Sequence, residues 1–225
     1  MNILIIGANG GIGKEITLQL KQEYPDAHII GTYHQNKADI DIEWVQMDAM
    51  NPQLDLEVDS LDFIMSCIGF LGNDTLRPEK GLSQLKSDYM LKSFQINCFA
   101  FPLILSQLRS KIKRDRPCFI SALSAKVGSI DDNKMGGWHS YRSSKAALNM
   151  MLKNIAIEFE RTHKQVKVYS IHPGTTQTKL SEKFLSGYGN KVHKPAGSAQ
   201  NILALFKKDY PSGSFLNWDG SVLPW

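Results

Sequence analysis

Six short apolar runs, at residues 3–6, 28–33, 44–47, 61–66, 118–121 and 166–171, alternate along this chain with longer stretches of helical periodicity. Runs this short and this uniformly apolar suit strands buried on both faces, and the intervening helices are what would bury them. Helical patterns fall at residues 14–23, twice within 81–109, at 141–159 and at 202–206, and residues 213–218 read as a last strand. The expectation is an α/β fold: one doubly wound domain with a central parallel sheet of about seven strands flanked by helices. Such sheets bind ligands beyond the carboxyl ends of their strands. Gly7, Asp48, Ser66, Ser124 and Pro173 all fall at or just past predicted strand ends, so their loops should meet on one edge.

With 225 residues, 42% of them hydrophobic, the chain is long enough for one well-buried core and short for two enzymatic domains, so residues 1–225 are read as one domain. The net charge of +4, from 26 basic and 22 acidic residues, is dispersed except at Arg109, Lys111, Lys113, Arg114 and Arg116. That cluster lacks interleaved aromatics and reads as a solvated helix end, so no nucleic-acid partner is expected. Cys67, Cys98 and Cys118 sit in apolar runs without metal-ligand spacing, which implies a reduced compartment and no structural metal. Glycines interrupt the apolar opening at once, so no targeting or membrane segment is expected and the location is read as cytoplasmic.

The segment Gly7-Ala8-Asn9-Gly10-Gly11-Ile12-Gly13 joins the first strand to the first helix. Glycines there allow a tight turn and leave helix amides open to a pyrophosphate, the context of a Rossmann-type dinucleotide site. Selection of NAD(H) calls for an acid near the end of the second strand. The chain has Gly31-Thr32-Tyr33-His34-Gln35-Asn36-Lys37 there, with no acid. A 2'-phosphate would meet no repulsion, and Lys37 or His34, with Lys14, could attract it, so NADP(H) is favoured over NAD(H). Asp48 is placed either to accept a hydrogen bond from an adenine amine or to cap its own loop.

Tyr141 and Lys145 stand four apart in a predicted helix, so they share a face. A phenol beside an ammonium is an acid–base device, because the cation favours phenolate and should lower the tyrosine pKa. Asn97 lies among Phe94, Ile96, Cys98 and Phe99, where a carboxamide is costly unless its hydrogen bonds are satisfied.

Taken together, GANGGIG at 7–13, Asp48, Ser66 to Gly69, Asn97, Ser124 with Gly128, YRSSK at 141–145 and HPGTTQT at 172–178 resemble the short-chain dehydrogenase/reductase family, in its C-factor or carbonyl-reductase-like branch. The resemblance covers essentially the whole chain. It implies that Tyr141 is the general acid/base and that Lys145 holds the nicotinamide ribose. Ser124 would bond the substrate oxygen, and Asn97 would kink its helix and anchor a water. Gly7, Asn9, Gly11, Ile12, Gly13, Lys37, Asp48 and Gly69 would contact the cofactor, along with Asn97, Tyr141, Lys145, Pro173, Gly174 and Thr178. Thr178 would orient the carboxamide.

Three departures from the family pattern stand out. Alignment on Gly128 puts Ala125 where the family has its serine, so Ser124 is the expected donor with Ser121 as the alternative. Ile6 replaces a threonine that ties the glycine turn to a neighbouring loop, and Ser66-Cys67-Ile68-Gly69 replaces Asn-Asn-Ala-Gly.

The expected reaction is hydride transfer between NADP(H) and a carbonyl/alcohol pair, with a small apolar aldehyde or ketone as substrate. Residues 179–195 would form the lid, and Leu180, Phe184, Leu185 and Tyr188, with Phe70, Leu71, Trp138 and His139, would line the pocket. Trp218 and Trp225 read as core or intersubunit aromatics. A homodimer through the helices bearing Asn97 and Tyr141 is implied by the resemblance. The competing reading is an inactive dinucleotide-binding sensor or scaffold.

Overall fold

A computed structural model describes residues 1–186, 189 and 191–225. The seven apolar segments form one parallel sheet: β1 (Asn2–Ile6), β2 (His28–Tyr33), β3 (Glu43–Gln46), β4 (Phe63–Ser66), β5 (Cys118–Leu123), β6 (Val166–His172) and β7 (Ser214–Asn217). Their spatial order is β3-β2-β1-β4-β5-β6-β7, with every pair parallel. The order reverses between β1 and β4, which opens a crevice beyond their carboxyl ends.

Alternate residues of each strand feed two cores. Leu4, Ile6, Ile30, Ile64, Ile120 and Val168 pack under α3 (Ala100–Gln107) and α4 (His139–Thr162), while Ile3, Ile5, Ile29, Met65 and Tyr169 pack under α1 (Gly11–Glu23) and a terminal helix at Pro195–Leu205. Ile64 is fully buried, and truncating such a residue to Ala costs about 2–5 kcal/mol.

Between β4 and β5 run α2 (Ser87–Phe94) and α3 (Ala100–Gln107), joined without a break by a π-helical turn, Gln95–Phe99. The two helical patterns read from the sequence are therefore one rod with a widened turn. Pro102 lacks the N–H that would reach back to the Cys98 carbonyl, inside that turn. Asn97 sits in the wide turn rather than in the second helix. The terminal helix, α5 (Pro195–Leu205), begins seven residues before the expected start, and Pro195, expected in the lid, instead occupies its first turn. No helix among the described residues is long and apolar enough to cross a membrane.

Candidate functional site

The glycine turn is built for close approach. Gly7 has φ of 82°, and a Cβ on Gly13 would collide with the Gly7 carbonyl oxygen. A Cβ on Gly11 would lie 2.7 Å from Thr178 Cγ2, so the segment after β6 stands directly over the turn. The cap position Gly10 offers no side-chain acceptor and the first turn of α1 carries no acid, which leaves its amides open to an anion. These features fit a dinucleotide pyrophosphate. The hydroxyl lost at Ile6 is replaced from the neighbouring strand, because Thr32 Oγ1 accepts the Gly7 N–H at 2.9 Å. Asn9 reaches across to the Asn36 carbonyl and fastens the turn to the segment carrying Lys37, which is exposed; Ile12 is partly buried.

Beside that segment lies a cavity of about 580 Å³ lined by His34, Gln35, Gln46, Met47 and Asp48. Asp48 Oδ1 accepts the Met50 N–H at 2.9 Å, the loop-capping contact, and stands 3.8 Å from His34 Nε2.

At the ends of β4 and β5 three elements converge. Asn97 Oδ1 accepts the Phe70 N–H at 2.6 Å, while its amide donates to the Phe70 carbonyl at 2.8 Å and to Ser144 Oγ at 3.0 Å. Ser144 in turn donates to the Tyr141 carbonyl at 2.8 Å, so the π turn is bonded to the first turns of α4. Lys145 is 3% exposed and donates to the Leu123 carbonyl at 2.8 Å. A Cβ on Gly69 would sit 3.7 Å from Asn97 Oδ1 and 3.8 Å from Lys145 Nζ, which places those groups together beside the β4 loop. Gly128 lets the loop after β5 press onto α4, since a Cβ there would meet Lys145 Cβ at 2.9 Å.

Tyr141 packs with Leu71 and Ala125, joined by Val127, Trp138 and Phe184. Trp138 meets Tyr141 edge-on at 6.1 Å and Phe184 at 5.4 Å. Burial pushes the phenol up to about 12 and the Lys145 ammonium down to about 8. The expected lowering of the phenol by a neighbouring cation does not appear; burial alone sets the direction of its shift.

Ser124 does not join that cluster. It is buried, and its hydroxyl donates to Asn149 Oδ1 at 2.6 Å, whereas Ala125 is the residue against Tyr141. Strand alternation explains the split, because consecutive residues leaving β5 face opposite ways. The alternative donor, Ser121, is also buried and its hydroxyl has no partner.

The segment after β6 closes the far side. Gly174 has φ of 75°, and a Cβ there would lie 2.9 Å from both His193 Cδ2 and Trp218 Cδ1. Pro173 is partly buried, and the Thr178 N–H donates to Ser181 Oγ at 3.1 Å. Burial beside Lys126 and His193 holds His172 down at about 4. Trp225 stacks on Phe215 at 5.5 Å.

Next to Phe184 and Leu180 lies a cavity of about 660 Å³ whose other lining residues include Asp74, Arg77, Lys179, Glu182 and Lys183. It is more polar than the apolar pocket expected. Tyr188, expected in that lining, lies outside the described residues. Sequence reasoning missed Ser144, visible in hindsight three residues after Tyr141, and Glu79, which no local signal marks. Among the described residues no cluster of three metal-ligating side chains occurs.

A family model described as enoyl-(acyl carrier protein) reductase matches residues 7–201. A dehydrogenase of Rhodococcus, named for 1-hydroxy-2-glutathionyl-2-methyl-3-butene, is 26% identical over 99% of both chains. A Burkholderia multivorans protein assigned to the short-chain dehydrogenases/reductases and solved with bound NADP superposes with a TM-score of 0.82 at 21% identity, over 100% of this chain and 99% of that one. NADPH-bound carbonyl reductase from chicken fatty liver gives a TM-score of 0.77 at 21% identity, over 100% and 98% of the two chains. The ordered motifs, the parallel sheet with its glycine turn and the match across most of the chain agree: this protein belongs to the short-chain dehydrogenase/reductase family of oxidoreductases.

Proposed function

We propose that this protein reduces a small carbonyl compound to an alcohol with NADPH, and that Tyr141 supplies the proton. The observation that carries the reading is the convergence of Asn97 and Lys145 on Gly69, one helical turn from Tyr141 and at the mouth of the glycine turn. A nicotinamide cofactor would supply the hydride. Gly7, Gly11, Gly13 and Thr178 would hold its pyrophosphate and carboxamide ends, with Asn9, Ile12, Pro173 and Gly174 bordering it.

In this reading Lys145 binds the ribose and Tyr141 protonates the developing alkoxide, which needs a donor aimed at the oxygen. A cation held close to the phenol would bring its pKa back down from the buried value. Asn97 uses both amide protons on protein partners, so its side chain fixes the π turn against Phe70 and Ser144. Ser124 is not assigned the substrate oxygen, because its proton is committed to Asn149.

Leu71, Ala125, Trp138 and Phe184 would surround an apolar group next to the carbonyl, with residues 179–194 as lid and the charged cavity beyond accepting a polar extension. NADPH over NADH is supported by the acid-free end of β2 and exposed Lys37, and by the dinucleotides in the Burkholderia and chicken proteins. The hydroxylated compound in the Rhodococcus relative's name and the chicken carbonyl reductase represent the two directions of such a reaction.

A homodimer is supported by apolar side chains left exposed on the helices bearing Asn97 and Tyr141. These are Leu91, Phe99 and Leu103 on one and Met150 and Ile157 on the other.

The second reading, a dinucleotide sensor without turnover, is favoured by one observation: Ala125 brings no hydroxyl to Tyr141. Following NADPH oxidation with a panel of aldehydes and diketones separates the two. Turnover supports the reductase, and tight NADPH binding with no oxidation of any panel member supports the sensor.

A further inference from the structure

Among the described residues, Glu79 and Lys145 are the only acidic or basic side chains, histidines aside, that are buried, at 2% and 3% exposure. Lys145 belongs to the site already described. Glu79 does not, and no lysine or arginine among the described residues pairs with it. Burying a carboxylate without a cation is expensive unless hydrogen bonds compensate it.

The compensation comes from the start of α4. Its cap residue is Trp138, which has no side-chain acceptor, and its first turn carries no acid. The approach is also unusual, because Gly136, Gly137 and Trp138 all have positive φ, at 64°, 65° and 48°. A helix of 24 residues thus begins with nothing of its own to receive its first amides. Glu79 fills that gap from 61 residues away: Oε2 accepts the Ser140 N–H at 3.1 Å and Oε1 accepts the Ser140 hydroxyl. The Glu79 backbone carbonyl accepts the Trp138 N–H at 2.5 Å. The residue therefore grips Trp138 and Ser140, and Tyr141 is the next residue along.

The same loop is fixed elsewhere. Asn97 pins Phe70 at its start, the Tyr89 hydroxyl donates to the Leu71 carbonyl at 2.8 Å, and Asp74 meets Lys183 of the lid at 2.5 Å. We infer that Glu79 is a positioning residue for Tyr141: its carboxylate caps the helix that carries the phenol. This inference rests on the reading of Tyr141 as proton donor.

The test compares Glu79→Ala, Glu79→Gln and Ser140→Ala by NADPH oxidation with 4-nitrobenzaldehyde as probe, and by amide hydrogen exchange at residues 138–142. A glutamine can accept the Ser140 N–H and donate to the Ser140 hydroxyl, so it should preserve the grip. Displacing a reacting group by about 1 Å can cost on the order of 100-fold in rate. Glu79→Ala should lose roughly 10- to 100-fold in kcat with KM for NADPH within about twofold, while Glu79→Gln stays within about threefold of wild type. Ser140→Ala, which keeps the amide contact and serves if Glu79→Ala fails to fold, should lose a few-fold. The Ser140 amide should exchange at least about tenfold faster in Glu79→Ala and at the wild-type rate in Glu79→Gln.

Wild-type kcat in Glu79→Ala, a Gln variant as slow as the Ala variant, or KM for NADPH rising in step with the loss of kcat would overturn the inference. If the wild-type protein oxidises NADPH with neither the probe nor any other member of the aldehyde and diketone panel, the proposed reaction fails separately. The exchange arm still decides in that case, because an unchanged Ser140 amide in Glu79→Ala overturns the positioning role.

Discussion

Ser124 donates its hydroxyl proton to the Asn149 carboxamide oxygen at 2.6 Å, and the Asn149 Nδ2 group is buried without a partner. That bond is what anchors Asn149, since its other polar end is already unsatisfied. Ser124→Ala should therefore destabilise the fold by about 1–3 kcal/mol, the penalty for stranding a buried polar group. Turnover should change by no more than a few-fold. Ala125→Ser, which places a hydroxyl in the Tyr141 cluster, should raise kcat. Urea titration and steady-state kinetics on the two variants check both statements.

Lys145 gives a pH-dependent stability. Burial holds its folded pKa near 8, below the ~10.4 of a free lysine. Between those values the unfolded chain binds the extra proton, so this group makes stability rise with pH there. Below about 8 both states are protonated and the whole burial penalty stands. Lys145→Met removes that penalty along with one hydrogen bond to Leu123. The cofactor-free variant should be more stable than wild type at pH 7 by on the order of 2 kcal/mol, with the advantage fading toward pH 10. Urea midpoints of both proteins across this range test the sign.

Lys37 is exposed beyond β2 on the segment fastened by Asn9. Reversing its charge should weaken NADPH binding by about tenfold or more and leave NADH binding within about twofold, because only NADPH carries the 2'-phosphate. Fluorescence titration of Lys37→Glu with both nucleotides provides the check.

Leu103 is 48% exposed and Met150 60% exposed on neighbouring outer helices. Charges placed there should oppose burial against a second copy. In the proposed homodimer, Leu103→Glu with Met150→Glu should give a monomer in sedimentation velocity at concentrations where the wild type sediments as a dimer, with helical content unchanged.

The sheet was legible because each strand is a short apolar run ending at a residue suited to a loop, and β2 spans the very residues its pattern marked. The terminal helix was read short because Gly197, Gln200 and Asn201 dilute its apolar periodicity, although Pro195 at its first turn is a start signal. Asn149 is a polar residue on the inward face of α4. Its spacing of four from Lys145 puts it on the same inward face, and it is 3% exposed.

Within the candidate site, Tyr141, Lys145 and Asn97 stood out because the first two share a helix face and all three fall in family motifs, although their hydrogen-bond partners lie on other elements. Glu79 was not, because its partners lie 59 and 61 residues away and are backbone or hydroxyl groups that leave no charge pattern. Ser124 and Ala125 differ by one position in a chain leaving a strand, and only the direction of each side chain separates their roles.

The central claim is that the Tyr141 phenol delivers a proton to a carbonyl reduced by NADPH. Tyr141→Phe keeps the ring packed against Leu71, Ala125 and Trp138 and removes only the oxygen. Single-turnover NADPH oxidation by the variant, set beside its NADPH dissociation constant, is the most direct measurement. The account predicts a dissociation constant within about threefold of wild type and a rate lowered by about 100-fold or more. A Phe variant that oxidises NADPH with the carbonyl substrate at the wild-type rate would contradict it.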